Sequence, residues 1–196
     1  MQRIVHRVNT RQHLREIPTQ YGVEIDIRSQ GEALILHHDP FQPGEPLSSW
    51  LPHFKHKTLI LNVKEEGLEK RLLALMESYG IDDFFFLDQT FPFLIKTVNA
   101  GEPRCAVRLS EHEPPQIALS LKGLAKWIWV DCFTRLPLDG TVAHTLQQAG
   151  YRLCLVSPEL LGNDPEIAIP QMHKQLLDQK IVMDAVCTKR PDLWDE

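Results

Sequence analysis

Short runs of apolar, β-branched and aromatic residues recur at positions 3–6, 23–28, 33–38, 58–64, 84–88, 104–109, 126–133, 152–157 and 185–188, and each reads as a strand. Most are followed by a stretch with helical periodicity. The clearest is 68–79, where Leu68, Leu72, Leu75, Met76 and Tyr79 share a 3.6-residue spacing and Gly80 supplies a left-handed stop. Thr90, Asp139 and Asp164 stand where N-caps are expected, and Gly101 and Gly150 where the matching helices end. Strands alternating with helices predict a parallel sheet. Nine strand candidates compete for the eight places of a (β/α)8 barrel, and the interval 29–32 is too short for a crossover helix. One candidate must therefore fall outside the parallel pattern. An open doubly wound sheet is the alternative, but no G-x-G-x-x-G or P-loop follows any strand. The expected fold is a small, irregular α/β barrel of the (β/α)8 TIM type, formed as one domain over residues 1–196.

The polar positions on these strands follow a pattern of their own. In 23–28, Glu24, Asp26 and Arg28 share one face, while Val23, Ile25 and Ile27 share the other. Two carboxylates two residues apart on a strand lie about 7 Å apart and repel unless a cation separates them or one is protonated. A solvated acidic face on an edge strand would relieve the repulsion equally well. The same parity recurs at Asn62 and Lys64, while His6 with Arg7 and His38 with Asp39 close their runs. Barrel active sites are built at the C-terminal ends of strands, so His6, Glu24, Asp26, His38 and Lys64 are expected to converge on one pocket. Asp88, Arg108, Glu111, Glu113, Asp131 and Glu159 also follow apolar runs. Most serve as caps or loop charges in this reading, with Arg108 a candidate phosphate contact. Trp127 and Trp129 read as core packing.

Composition narrows the function classes. With 43% apolar and 24% charged residues over 196 positions, the chain is globular and can bury a sizeable core. A formal net charge of −5 provides no field to attract nucleic acid or an anionic membrane, so an anionic ligand must be held locally. Cys105, Cys132, Cys154 and Cys187 are far apart, form no C-x-x-C pair and read as reduced core thiols. The opening MQRIVHRV has no leader pattern, and no run of about 18 apolar residues occurs, so a soluble cytoplasmic protein without a membrane span is expected.

Taken in order, His6-Arg7, then Glu24-Ile25-Asp26, then His38-Asp39, resemble the H-R, E-x-D and H-D motifs of glycerophosphodiester phosphodiesterases. Leu61-Asn62-Val63-Lys64 resembles that family's E-x-K strand, and Thr188-Lys189-Arg190-Pro191 its closing T-D-R-P-like signature. The resemblance implies hydrolysis of a small polar phosphodiester substrate. It makes His6 and His38 the acid/base pair and Glu24 and Asp26 metal ligands, with Asn62 in the third ligand position. Hard oxygen donors of this kind suit Mg²⁺ or Ca²⁺. Arg7 and Lys64 would balance charge on the phosphoryl group, with Arg108 in reserve.

The chain also departs from the pattern. Asn62 replaces a carboxylate, which implies a weakly held metal, and Val8 stands where a glycine follows H-R. The family's E-N pair is missing from the first loop, although Asn9 is nearby. The segment after Asp39 is too short for the family's substrate-covering insertion, which leaves the mouth open. Two alternatives stay open at this stage. One is a non-catalytic relative that binds a phosphorylated ligand or a partner. The other is a metal-free lyase, similar to phosphatidylinositol-specific phospholipases C, with Arg28 or Lys64 in place of the cation.

Overall fold

The structure is a computed structural model and describes residues 1–195. It divides into two compact units: Val5–Gly101, and Met1–Ile4 together with the chain from Glu102 onward.

The chain begins with β1 (Gln2–Val5), of which Gln2–Ile4 are counted with the second unit and Val5 with the first. The first unit continues with α1 (Arg11–Glu16), β2 (Gly22–Gln30), β3 (Ala33–Leu36), β4 (Glu45–Pro46), α2 (Leu47–Trp50), β5 (Leu59–Val63), α3 (Glu69–Tyr79), β6 (Phe84–Leu87) and α4 (Phe91–Asn99). Strands β2, β5 and β6 are parallel, with Ile25 opposite Leu61 and Leu61 opposite Phe86. β5 is buried along its whole length, which its near-continuous apolar sequence requires of a parallel strand covered on both faces. Helix α3 buries Leu72 and Met76 and ends at Gly80, whose φ of +64° is the left-handed stop that the sequence predicts. Two positions on this helix differ from expectation. Tyr79 is exposed, and Glu69 is buried with its carboxylate accepting a hydrogen bond from Gln89.

β3 explains the surplus strand candidate. It runs antiparallel to β2, pairing Ile27 with Leu36 and Gln30 with Ala33, so Gly31 and Glu32 form a two-residue hairpin turn with Gly31 at φ +59°. The short β4, not foreseen from the sequence, continues this antiparallel edge by pairing Leu36 with Glu45.

The second unit holds β7 (Ala106–Leu109), α5 (Pro115–Ser120), β8 (Trp127–Val130), α6 (Gly140–Gln148), β9 (Arg152–Val156), α7 (Pro165–Asp178) and β10 (Ala185–Thr188). β7 through β10 are parallel and in sequential order, the arrangement that alternating strands and helices predict. Asp139 and Asp164 cap α6 and α7 by accepting from the backbone of Val142 and Glu166. Thr90 precedes α4 but makes no cap bond, its hydroxyl donating instead to Glu66. All four cysteines are free and buried in this second unit. Burial pushes the Cys132 thiol up to about 12 and raises that of Cys154 further. Among the described residues no helix is long and apolar enough to cross a membrane.

Candidate active site

Glu24 and Asp26 lie on β2, which is flanked by β5 along one edge and by β3 at its far end, and both side chains are 0% exposed. This overturns the reading of β2 as an edge strand with a solvated acidic face. The repulsion between the two carboxylates must therefore be relieved inside the protein. Glu24 accepts from Asn62 Nδ2 at 2.8 Å and from the Arg7 backbone N–H at 2.7 Å, and the His6 Nε2 lies 3.9 Å from its carboxylate. Asp26 Oδ2 accepts from Asn9 Nδ2 at 2.8 Å, with the Arg7 Nε at 3.6 Å. The Lys64 ammonium sits 3.3 Å from Asp26 Oδ1 and donates to Asp88 at 3.0 Å.

Two buried oxygens in this cluster accept no hydrogen bond. They are Asp26 Oδ1, whose contact with Lys64 is an ion pair only, and Asn62 Oδ1. The strand register places Asp26 directly opposite Asn62. Burial is the main reason that the Glu24 carboxyl is pushed up to about 7, and the neighbouring Asp26 charge adds to it. The Arg7 N–H, Asn62 and Lys64 act in the opposite sense but do not restore an ordinary carboxylate.

His6 and Arg7 follow β1 in a tight turn, with Arg7 at φ +56°. That conformation turns the Arg7 N–H onto Glu24, while the next amide, Val8 N–H, donates to the Glu24 carbonyl. The buried Trp50 indole donates to the Val8 carbonyl at 3.0 Å and fixes this turn from behind.

His38 reaches the region differently from the sequence expectation. It arrives on the antiparallel return of the β2–β3 hairpin and not at the end of a parallel strand. His37 N–H donates to the Asp26 carbonyl, and the Arg28 guanidinium donates twice to the His38 carbonyl, at 3.1 and 2.8 Å. Arg28 also reaches the Lys64 carbonyl at 3.4 Å, so it ties the histidine loop to β5. The His38 ring bonds to Asp39 at 2.8 Å, and this bond holds the Asp39 carboxyl below its ordinary range, with a smaller contribution from the Arg7 charge.

His6, Arg7, Glu24, Asp26, His38, Asn62 and Lys64 thus all belong to the first unit. Arg108 lies on β7 in the second, where its guanidinium is engaged by Asp131 and faces Glu113. Trp127 and Trp129 are buried, as their apolar setting predicts. Three residues near the carboxylates carry more of the site than the sequence suggests. Asn9 grips Asp26 reciprocally, accepting from its N–H at 2.8 Å while donating to its carboxylate. Asp88 holds Lys64, and Arg28 organises two backbone carbonyls. A signal for Asn9 existed in its place three residues after His6, but the choice of Asp26 as partner depends on long-range packing.

No family model matches this sequence, and no curated protein matches it. Solved structures do. A glycerophosphodiester phosphodiesterase from Agrobacterium tumefaciens str. C58 superposes with a TM-score of 0.69 at 16% identity, covering 99% of this chain and 98% of that one. A glycerophosphoryl diester phosphodiesterase from Parabacteroides distasonis ATCC 8503 superposes with a TM-score of 0.57 at 12% identity, covering 98% of this chain and 84% of that one. The chain therefore has the fold of glycerophosphodiester phosphodiesterases, the family whose motifs its sequence resembles.

Proposed function

We propose that the cluster around Glu24 and Asp26 is the active site of a phosphodiester hydrolase of the glycerophosphodiester phosphodiesterase type. The observation that carries this reading is the buried pair of carboxylates on β2, bonded to the turn that bears His6 and Arg7, with the backbone carbonyl of Asp26 accepting from His37 in the loop that bears His38. Nothing in the packing of a hydrophobic core calls for two carboxylates at 0% exposure on one strand face. In this reading one imidazole removes a proton from water as its oxygen bonds to phosphorus. The other protonates the alcohol oxygen as the phosphorus–oxygen bond breaks, leaving a phosphomonoester and a free alcohol. Imidazole suits both roles because it commonly exchanges protons near neutral pH. Arg7 and Lys64 would balance the charge that develops on the phosphoryl oxygens.

A divalent cation fits the donor set. Asp26 and Asn62 are register partners on β2 and β5, the Oδ1 of each is buried and accepts no hydrogen bond, and burial holds the Glu24 carboxyl well above its ordinary range. These three side chains would hold Mg²⁺ or Ca²⁺, which when bound would polarise the phosphoryl oxygens. A metal-free variant of the same reading draws on the Lys64 ammonium, which already stands 3.3 Å from Asp26. Arg28 is unsuited to that role because its guanidinium is engaged by backbone carbonyls.

Hydrolysis of glycerophosphodiesters and of an aryl phosphodiester, assayed with added Mg²⁺ or Ca²⁺ and with chelator, tests the proposal. Release of alcohol that is lost in His6→Ala supports it. Turnover unaffected by chelator would favour the Lys64 variant, and no turnover under any condition would leave a ligand-binding relative as the better reading.

A further inference from the structure

The loop that follows His38 carries a conformation that the chain's own packing does not repay. Residues 39–43, Asp39-Pro40-Phe41-Gln42-Pro43, are all exposed, and Phe41 is the most exposed large apolar side chain among the described residues. Its backbone also has φ +60°. A left-handed conformation is unfavourable for a bulky aromatic residue, and such strain usually persists where it serves a function. Here the cost of holding the backbone and the cost of exposing the ring fall on one residue.

The base of the loop is fixed while its tip projects. At the entry, Arg28 holds the His38 carbonyl, and His37 and Asp39 bond to each other. At the exit, Gly44 seats so closely that an added Cβ would lie 2.6 Å from the Leu36 carbonyl oxygen. Pro40 and Pro43 restrict the backbone on both sides of the aromatic residue. The chain between this loop and β5 folds back into the unit, burying Leu47, Trp50 and Leu51, and does not cover the tip.

We propose that Phe41 is the point at which the mouth of the site docks onto a lipid surface, so that the phosphodiester it takes is carried by a lipid. This rests on the phosphodiesterase reading for the identity of the substrate, but not for the docking itself. The half-exposed His38 ring stands three residues before Phe41, and the half-exposed Arg7 guanidinium acts on the charge of Asp39 in the same loop; a lipid layer presents the same pairing of phosphate and hydrocarbon. A second protein copy suits the feature less well. A phenylalanine buries about 150–250 Å², against about 800 Å² per partner in a stable interface. A fluid lipid surface is non-directional and accepts a single side chain.

Co-sedimentation of the full chain with phosphatidylcholine vesicles at millimolar lipid tests the docking without requiring turnover. The parent is expected to partition measurably, Phe41→Ser to lower the partition coefficient about tenfold or more, and Phe41→Leu to retain most of it. Leu177→Ser, which removes another exposed apolar side chain from α7, should partition as the parent does. Melting temperatures confirm that each variant is folded. The proposal is overturned if the parent stays in solution, or if Phe41→Ser sediments equally well. It is also overturned if Phe41 instead drives concentration-dependent self-association without vesicle binding. Vesicle binding by a protein that hydrolyses no phosphodiester would keep the docking and sink the activity. Hydrolysis without vesicle binding would do the reverse.

Discussion

Asp26 and Asn62 stand opposite each other on neighbouring parallel strands, and each presents a buried oxygen that accepts no hydrogen bond. A buried acceptor without a hydrogen bond costs about 1–3 kcal/mol; the Lys64 ammonium at 3.3 Å offsets this for Asp26, and a divalent cation held by both residues would offset it for Asn62 as well.

The first prediction concerns that place. Asn62→Glu should tighten binding of Mg²⁺ or Ca²⁺ by about tenfold, because a third carboxylate adds charge to a hard oxygen site. The same change removes the Nδ2 donor of Glu24 and adds a like charge, so the ion-free variant should melt lower than the parent. Calorimetric titration of both proteins, with melting curves in chelator, reads the two effects separately. A variant that melts lower and binds neither ion would remove the metal from the mechanism.

His6→Ala and His38→Ala should each lower phosphodiester turnover by roughly 10² or more. The His38 side chain is 41% exposed, so its removal should leave the melting temperature nearly unchanged. Equal turnover in both variants and the parent would assign the activity to other groups.

Stability should depend on pH through Glu24. Its carboxyl is raised from 4.5 to about 7 by burial, so between these values the folded protein holds a proton that the unfolded chain has released. The stabilisation from this proton is complete below about 4.5 and is lost as pH rises through about 7. Glu24→Gln has no such dependence. In chelator, the melting temperature of the variant relative to the parent should therefore rise from pH 5 to pH 8, by roughly 2–4 °C for each kcal/mol. A constant difference across this range would show that Glu24 is an ordinary carboxylate.

Phe41→Gly should stabilise the chain. The ring is fully exposed and its removal forfeits no packing, while glycine adopts φ +60° without strain. The gain should be about 1 kcal/mol, offset in part by glycine's greater freedom in the unfolded chain. A lower melting temperature would mean that the ring makes a contact the folded chain depends on.

Much of the fold was legible because the signals are local. Alternating apolar runs mark the strands, and Gly80, Asp139 and Asp164 mark helix ends through chemistry confined to one turn. Motif order singled out His6, Glu24, Asp26, Asn62 and Lys64, which the structure brings into one cluster. The reversal at 33–38 was legible only in part: the interval 29–32 is too short for a crossover helix, but the run has the composition of a parallel strand, and which candidate leaves the pattern is settled by its pairing with β2. Burial of Glu24 and Asp26 was also hidden, since an acidic alternation reads the same on an edge strand as inside a sheet. Asn9 and Arg28 act through partners that lie 17 and 10 positions away, and local composition does not reveal such pairings.

The buried cysteines have a consequence for kinetics. All four lie in the second unit, where at least Cys132 and Cys154 are held as protonated thiols. A thiol-alkylating reagent attacks thiolate and needs access, so the folded unit should be nearly inert and each labelling event should report an opening of the chain from Glu102 onward. The unit that carries His6, Glu24, Asp26 and His38 contains no cysteine and is silent in such an experiment. Thiol labelling therefore times the breathing of one half of the molecule, and a cysteine introduced on the other half would supply the second clock.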